Sequence, residues 1–96
     1  MLTQKSAIAK VRRFAREIKD SGVDLRHVIL YGSYAKNAQH KWSDIDVALV
    51  SDSFMGVGFY DIDQFAKIHI QKPFCIIQPK TYNTKDFLVG RDPFFR

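Results

Sequence analysis

Two aspartates separated by one residue, Asp44 and Asp46, stand at the entrance to a short apolar run, Ile45 to Val50. In an extended strand, residues two apart face the same side, with Cα atoms about 7 Å apart. Two carboxylates placed in this way repel unless a cation sits between them. Hard oxygen donors converging on one point suit Mg²⁺, which keeps waters and takes substrate phosphates as its other ligands. Ile45 points the opposite way, into a core. An isolated pair of this kind is more often solvated or capping, so its meaning depends on what precedes it.

Ten residues separate Asp44 from Ser33, and Gly32-Ser33 follows another short apolar run, Val28-Ile29-Leu30-Tyr31. Glycine has no Cβ, so backbone can approach a phosphate closely there. Ser33 adds a hydroxyl, and the turn after it can offer backbone N–H groups to an anion. Asn37 suits a left-handed position in the following loop. Gly-Ser and Asp-x-Asp, each at a strand end, are far more specific together than either is alone.

The stretch GSYAKNAQHKWSDIDVALV resembles the DNA polymerase β-like nucleotidyltransferase superfamily. In particular it is similar to the minimal nucleotidyltransferase branch, whose usual form is GSxARGxxxxxSDIDLxV. That branch often stands beside a HEPN-domain partner as the antitoxin of a toxin–antitoxin pair. The resemblance implies that Gly32 and Ser33 hold the nucleotide's phosphates and that Asp44 and Asp46 are catalytic and bind Mg²⁺ or Mn²⁺. Lys36 and Ser43 complete the implied nucleotide-binding set, with Ser43 fixing Asp44 by a hydrogen bond. The implied reaction is in-line transfer of a nucleoside monophosphate, such as AMP from ATP, to a hydroxyl on a protein or RNA, with loss of pyrophosphate.

Three positions depart from that pattern. Asn37 replaces a glycine, which is mild because Asn tolerates positive φ. Lys36 replaces an arginine and loses its bidentate fork. The third is larger, because the superfamily supplies a third carboxylate from a later strand. The matching stretch here, Phe74-Cys75-Ile76-Ile77-Gln78-Pro79, has no acid. Aligned on the proline, either Cys75 or Gln78 stands at the acid's position. Asp61 and Asp63 are the nearest acids, read as a helix cap and a solvated residue. An enzyme and a catalytically impaired antitoxin or binding subunit that neutralises a HEPN-like partner therefore both remain open. A basic nucleic-acid-binding domain is a third, weaker reading.

The elements that must position these residues follow from periodicity. Ala7, Ile8, Val11, Phe14, Ala15 and Ile18 form one stripe, predicting a helix over 3–21 capped by Thr3 or Ser6 and stopped by Gly22. Strands are expected at 28–31, 45–50 and 74–78, the last closed by Pro79, with the first two antiparallel because only a loop joins them. A mobile loop at 51–58, a weaker helix at 61–69 and a short helix over 84–89 capped by Thr84 complete the list. The result is an α+β nucleotidyltransferase fold, a small mixed or antiparallel sheet covered by helices, in one domain over 1–96.

The 96 residues suffice for one modest core. Lysine and arginine outnumber acids 15 to 10, and Lys10, Arg12, Arg13, Arg16 and Lys19 share the polar side of the first helix. That face is either solvated or meets a polyphosphate, a nucleic acid or an acidic protein. One cysteine, Cys75, excludes an internal disulfide and reads as a buried small hydrophobe. No stretch approaches the ~20 apolar residues of a membrane span, so a cytoplasmic protein is expected. His27, His40 and His69 read as surface or edge residues, and Trp42 as a packing anchor. Tyr31 and Tyr34 are core, nucleotide contacts or modification sites. Phe94 and Phe95 either fold back or dock on another chain, so an oligomer is conceivable.

Overall fold

The computed structural model describes residues 3–40 and 43–88, apart from the side chains of Phe59 and Leu88. Trp42, Phe94 and Phe95 therefore lie outside the described residues. The order is α1 (Gln4–Asp20), β1 (Leu25–Tyr31), α2 (Gly32–Ala35), β2 (Ile45–Ser51), α3 (Gly58–Asp61), a 3₁₀ turn (Ile62–Gln64), α4 (Ala66–His69), a second 3₁₀ turn (Lys72–Phe74), β3 (Ile77–Asn83) and α5 (Thr84–Leu88). Strands run β1-β2-β3 across the sheet, with β1 antiparallel to β2 and β3 parallel to it. The α+β expectation holds, with a mixed sheet. No helix among the described residues is long and apolar enough to cross a membrane.

Helix α1 follows its apolar stripe. Ala7, Val11, Phe14, Ala15 and Ile18 are buried against Ile45, Val47 and Leu49 of the central strand and Ile77 of β3. Thr3 and Ser6 form a reciprocal capping box, so both expected caps are used. Gly22 lies past the helix end at φ 108°, where a left-handed residue is favoured. The Phe14 ring meets Phe74 at 5.3 Å and Phe65 at 6.1 Å. The opposite sheet face carries a smaller cluster of Ala48, Val50 and Tyr82, with Ile29, Tyr31 and Phe87 packed on it. The central strand is thus covered on both sides over most of its length, as its continuous apolar run demands.

The third strand differs from its expectation. It begins at Ile77, runs through Pro79 and ends at Asn83. Proline is tolerated because β3 is an edge strand, where a missing N–H need not break a ladder bond. Cys75 precedes the strand and is exposed, its Sγ donating to the Lys72 carbonyl at 3.2 Å. It is not a core residue. The expected helix over 61–69 is broken at Phe65 (φ −140°), which turns its ring into the core beside Phe14. His69 is half-buried rather than superficial, and its Nε2–H donates to the Ile77 carbonyl at 2.8 Å. The last helix is capped by Asn83, whose Oδ1 accepts from the Lys85 N–H at 2.9 Å, not by Thr84.

Asp61 corrects two expectations at once. It caps no following helix, and the loop before it is not loose. Its carboxylate is buried and accepts the N–H groups of Met55 (2.8 Å), Gly56 (2.9 Å) and Val57 (3.1 Å) and the Thr81 hydroxyl (2.7 Å). Asn83 Nδ2 holds the Phe54 carbonyl of the same loop at 2.9 Å. One anion therefore satisfies four donors and ties the loop to β3. Asp61→Ala orphans those donors and is expected to cost about 2–4 kcal/mol in urea unfolding. Asp61→Asn keeps an acceptor and is expected to lose less, and equal losses would show that the carboxylate's hydrogen bonds do not stabilise the loop.

Candidate functional site

Because β1 and β2 are antiparallel, the end of β1 lies beside the start of β2. Tyr31 is paired with Asp46, so Gly32, the next residue, falls against that carboxylate. Gly32 has φ +73°, and a Cβ built on it would overlap the Asp46 side chain. Both facts demand glycine, one through backbone strain and one through space. The two halves of the motif thus meet by strand register, across the loop that separates them in sequence.

Helix α2 is a single turn starting at Gly32. The Gly32 carbonyl accepts from the Lys36 N–H (3.3 Å) and the Ser33 carbonyl from the Ala38 N–H (2.8 Å). Asn37 takes the left-handed conformation at φ 53°, as expected. Gln4 on α1 anchors the turn, donating to the carbonyls of Tyr34 (2.9 Å) and Ala35 (3.2 Å). Tyr34 is core, whereas Tyr31 lies on the opposite sheet face, in one row with Asp46. Ser33 is half-buried beside Gly32, and Lys36 is exposed one turn further on. Ser43 is buried, and its hydroxyl accepts from the His40 N–H at 2.9 Å while its own N–H reaches the His40 carbonyl at 2.9 Å. Those bonds close the turn before Asp44 instead of gripping the Asp44 side chain.

Asp44 is exposed and Asp46 half-buried, on either side of the fully buried Ile45. Burial, and then the charge of Asp44, raise the Asp46 carboxyl above its ordinary value. A site that holds one carboxylate partly desolvated beside another favours a proton or a cation there. Carboxylate oxygens are the donor type that a hard divalent ion takes.

The same row continues to β3, where Gln78 is paired with Asp46. Neighbouring strands lie about 4.8 Å apart, so Gln78 occupies the sheet position nearest Asp46 on that side. Of the two alignments open in the sequence, register selects Gln78 over Cys75. Asp61 is committed to its loop and Asp63 is exposed on the 3₁₀ turn. No group of three or more His, Cys, Asp or Glu converges among the described residues. Lys80 lies one pleat beyond Gln78 on the same face, paired with Ala48, with its Nζ 5.6 Å from the Tyr82 ring centre. The sequence reading missed Lys80 because it ended the strand at Pro79. The alternation Gln78, Lys80, Tyr82 was the available signal.

A profile of the nucleotidyltransferase domain matches residues 8–89. The chain belongs to the nucleotidyltransferase domain family. No curated protein and no solved structure matches it. In this nucleotidyltransferase domain the matched span contains every element of the sheet, α2 and the Asp-x-Asp strand.

Two outcomes test the geometry. Gly32→Ala is expected to cost about 1–3 kcal/mol, and less than that in an Asp46→Ala background, where the overlap with the carboxylate is removed. Additive losses in a double-mutant cycle would overturn the contact. The raised Asp46 pKa means that its ionised form is disfavoured in the fold. Its contribution to stability is intact below the ordinary carboxylate value and falls as pH rises through the raised one. Without divalent cation, Asp46→Asn is therefore expected to melt above wild type at neutral pH and to lose that advantage on acidification.

Proposed function

We propose that this domain transfers a nucleoside monophosphate, AMP from ATP, to a hydroxyl on a protein or RNA in the cytoplasm, with Mg²⁺ or Mn²⁺ held by Asp44 and Asp46. The observation that carries the reading is the packing of Asp46 against Gly32, which joins a phosphate-type turn to a carboxylate pair. Backbone N–H groups of the Gly32-Ser33 turn and the Ser33 hydroxyl bind phosphate oxygens, and Lys36 adds charge at the turn's far end. Asp44 and Asp46 set the direction from which the acceptor oxygen approaches. A divalent cation, when bound, neutralises phosphate charge and acidifies the attacking hydroxyl. Gln78 can orient one hydroxyl through its amide but cannot take its proton.

That last point favours a second reading, an antitoxin-type subunit that binds a nucleotide and a HEPN-like partner with little turnover. The row Tyr31–Asp46–Gln78 carries one acid where a glutamate at 78 would give two.

Titration with ATP and Mg²⁺ tests the first reading. Metal-dependent binding is expected, weakened about tenfold or more in Asp44→Asn and in Asp46→Asn, and equal binding by all three proteins would overturn it. Gln78→Glu is expected to tighten Mg²⁺ binding and to raise label transfer from α-labelled ATP to the acceptor. An intact nucleotide site with no transfer in either form supports the binding-subunit reading instead.

A further inference from the structure

Strand β1 is an outer strand of the sheet, so alternate residues turn backbone N–H and C=O groups away from β2. A groove of about 560 Å³ runs between this edge and α1. Its floor is apolar, from Ile8 and Val11 on α1 and Val28 and Leu30 on β1. Above it stand Arg12, Arg16 and Lys19, all exposed, against one acid, Asp20. Among the described residues none of those three cations has a carboxylate within ion-pair distance, whereas Arg26 is engaged by Asp24 (3.4 Å) and Asp52 (2.9 Å).

A helix lying beside a strand edge that no other described strand covers is the geometry in which extended peptides add to a sheet. We propose that this groove receives an extended, acidic segment of a partner protein as a fourth strand beside β1. Apolar side chains of the segment fill the floor, and its carboxylates meet Arg12, Arg16 and Lys19. The register irregularity between Leu25 and His27 confines regular pairing to residues 27–31, a normal strand length. A second copy of the chain is a poor occupant, because it would bring two sets of these cations together. RNA is also a poor one. The floor is aliphatic, and among the described residues the only ring at the groove, His27, lies 5.3 Å from Phe87 of the cluster on the other sheet face, so those residues offer no platform for a base. The surface is separate from the carboxylate pair, so the inference does not depend on catalysis.

The test is selection of octapeptides from a displayed random library on the purified chain, followed by amide-shift mapping and anisotropy with the selected peptide. Expected are peptides rich in apolar residues and Asp or Glu, with shifts confined to α1 and β1. Affinity should fall about tenfold or more in Arg12→Glu/Arg16→Glu, fall less in Arg12→Gln/Arg16→Gln, and be unchanged in Asp44→Asn. Circular dichroism of the variants establishes that these exposed changes leave the fold intact. Failure to select a binder, selection of peptides without acids, shifts mapping elsewhere, or unchanged affinity after charge reversal overturns the proposal. Tighter binding of oligouridylate to the same amides, or a sedimenting dimer that protects β1, likewise overturns it.

Discussion

The contact between Gly32 and the Asp46 carboxylate is the constraint on which the site depends. It requires three things together: a glycine at positive φ, an antiparallel β1–β2 ladder, and a register that pairs Tyr31 with Asp46. A shift of one residue would turn Asp46 toward α1 and Ile45 toward solvent. The fully buried Ile45, Val47 and Leu49 oppose that shift, since each would lose its place beneath the helix. Core packing thereby holds Asp46 against the Gly32 turn. The same packing keeps Asp46 partly desolvated, which disfavours its ionised form.

The rest of the chain supports that ladder from both sides. Helix α1 covers one face and, through Gln4, also holds the turn that carries Gly32 and Ser33. On the other face Phe87 of α5 closes one end, leaving Tyr31, Asp46 and Gln78 at the other. Between β2 and β3 the chain makes only short helical turns, so the crossover is secured by polar bonds as well as by rings. Asp61 gathers three backbone donors and Thr81, and His69 reaches the Ile77 carbonyl. These residues resemble catalytic candidates by type, yet each is consumed by the backbone of its own crossover.

The parallel pairing of β3 gives the site its distinctive chemistry. Gln78, beside Asp46, donates and accepts hydrogen bonds without adding charge. The site therefore combines two carboxylates, a neutral amide and, one pleat further, Lys80. Such a set is less negative than three carboxylates and repels phosphates less, at the cost of a base. The basic face of α1 is a separate region of charge, on the groove side of β1.

Some of this was legible in residue order alone. The α1 stripe, both of its caps, Gly22 as its stop, the left-handed Asn37 and the β1–β2 pairing follow from local periodicity and backbone chemistry, which act over a few residues. Gly32, Ser33, Asp44 and Asp46 stood out as candidates through their spacing, each pair at a strand end, and through the resemblance that spacing carries. The extent of β3, the burial of Asp61, the exposure of Cys75 and the burial of Ser43 were not. Each depends on what lies across space: an edge position that forgives Pro79, four donors converging on one carboxylate, a turn that delays the strand. Sequence by itself determined that two carboxylates and a phosphate-type turn exist in this chain. Only the tertiary structure decided that Gln78, rather than Cys75, is paired with Asp46, because strand register is set by packing between segments more than thirty residues apart.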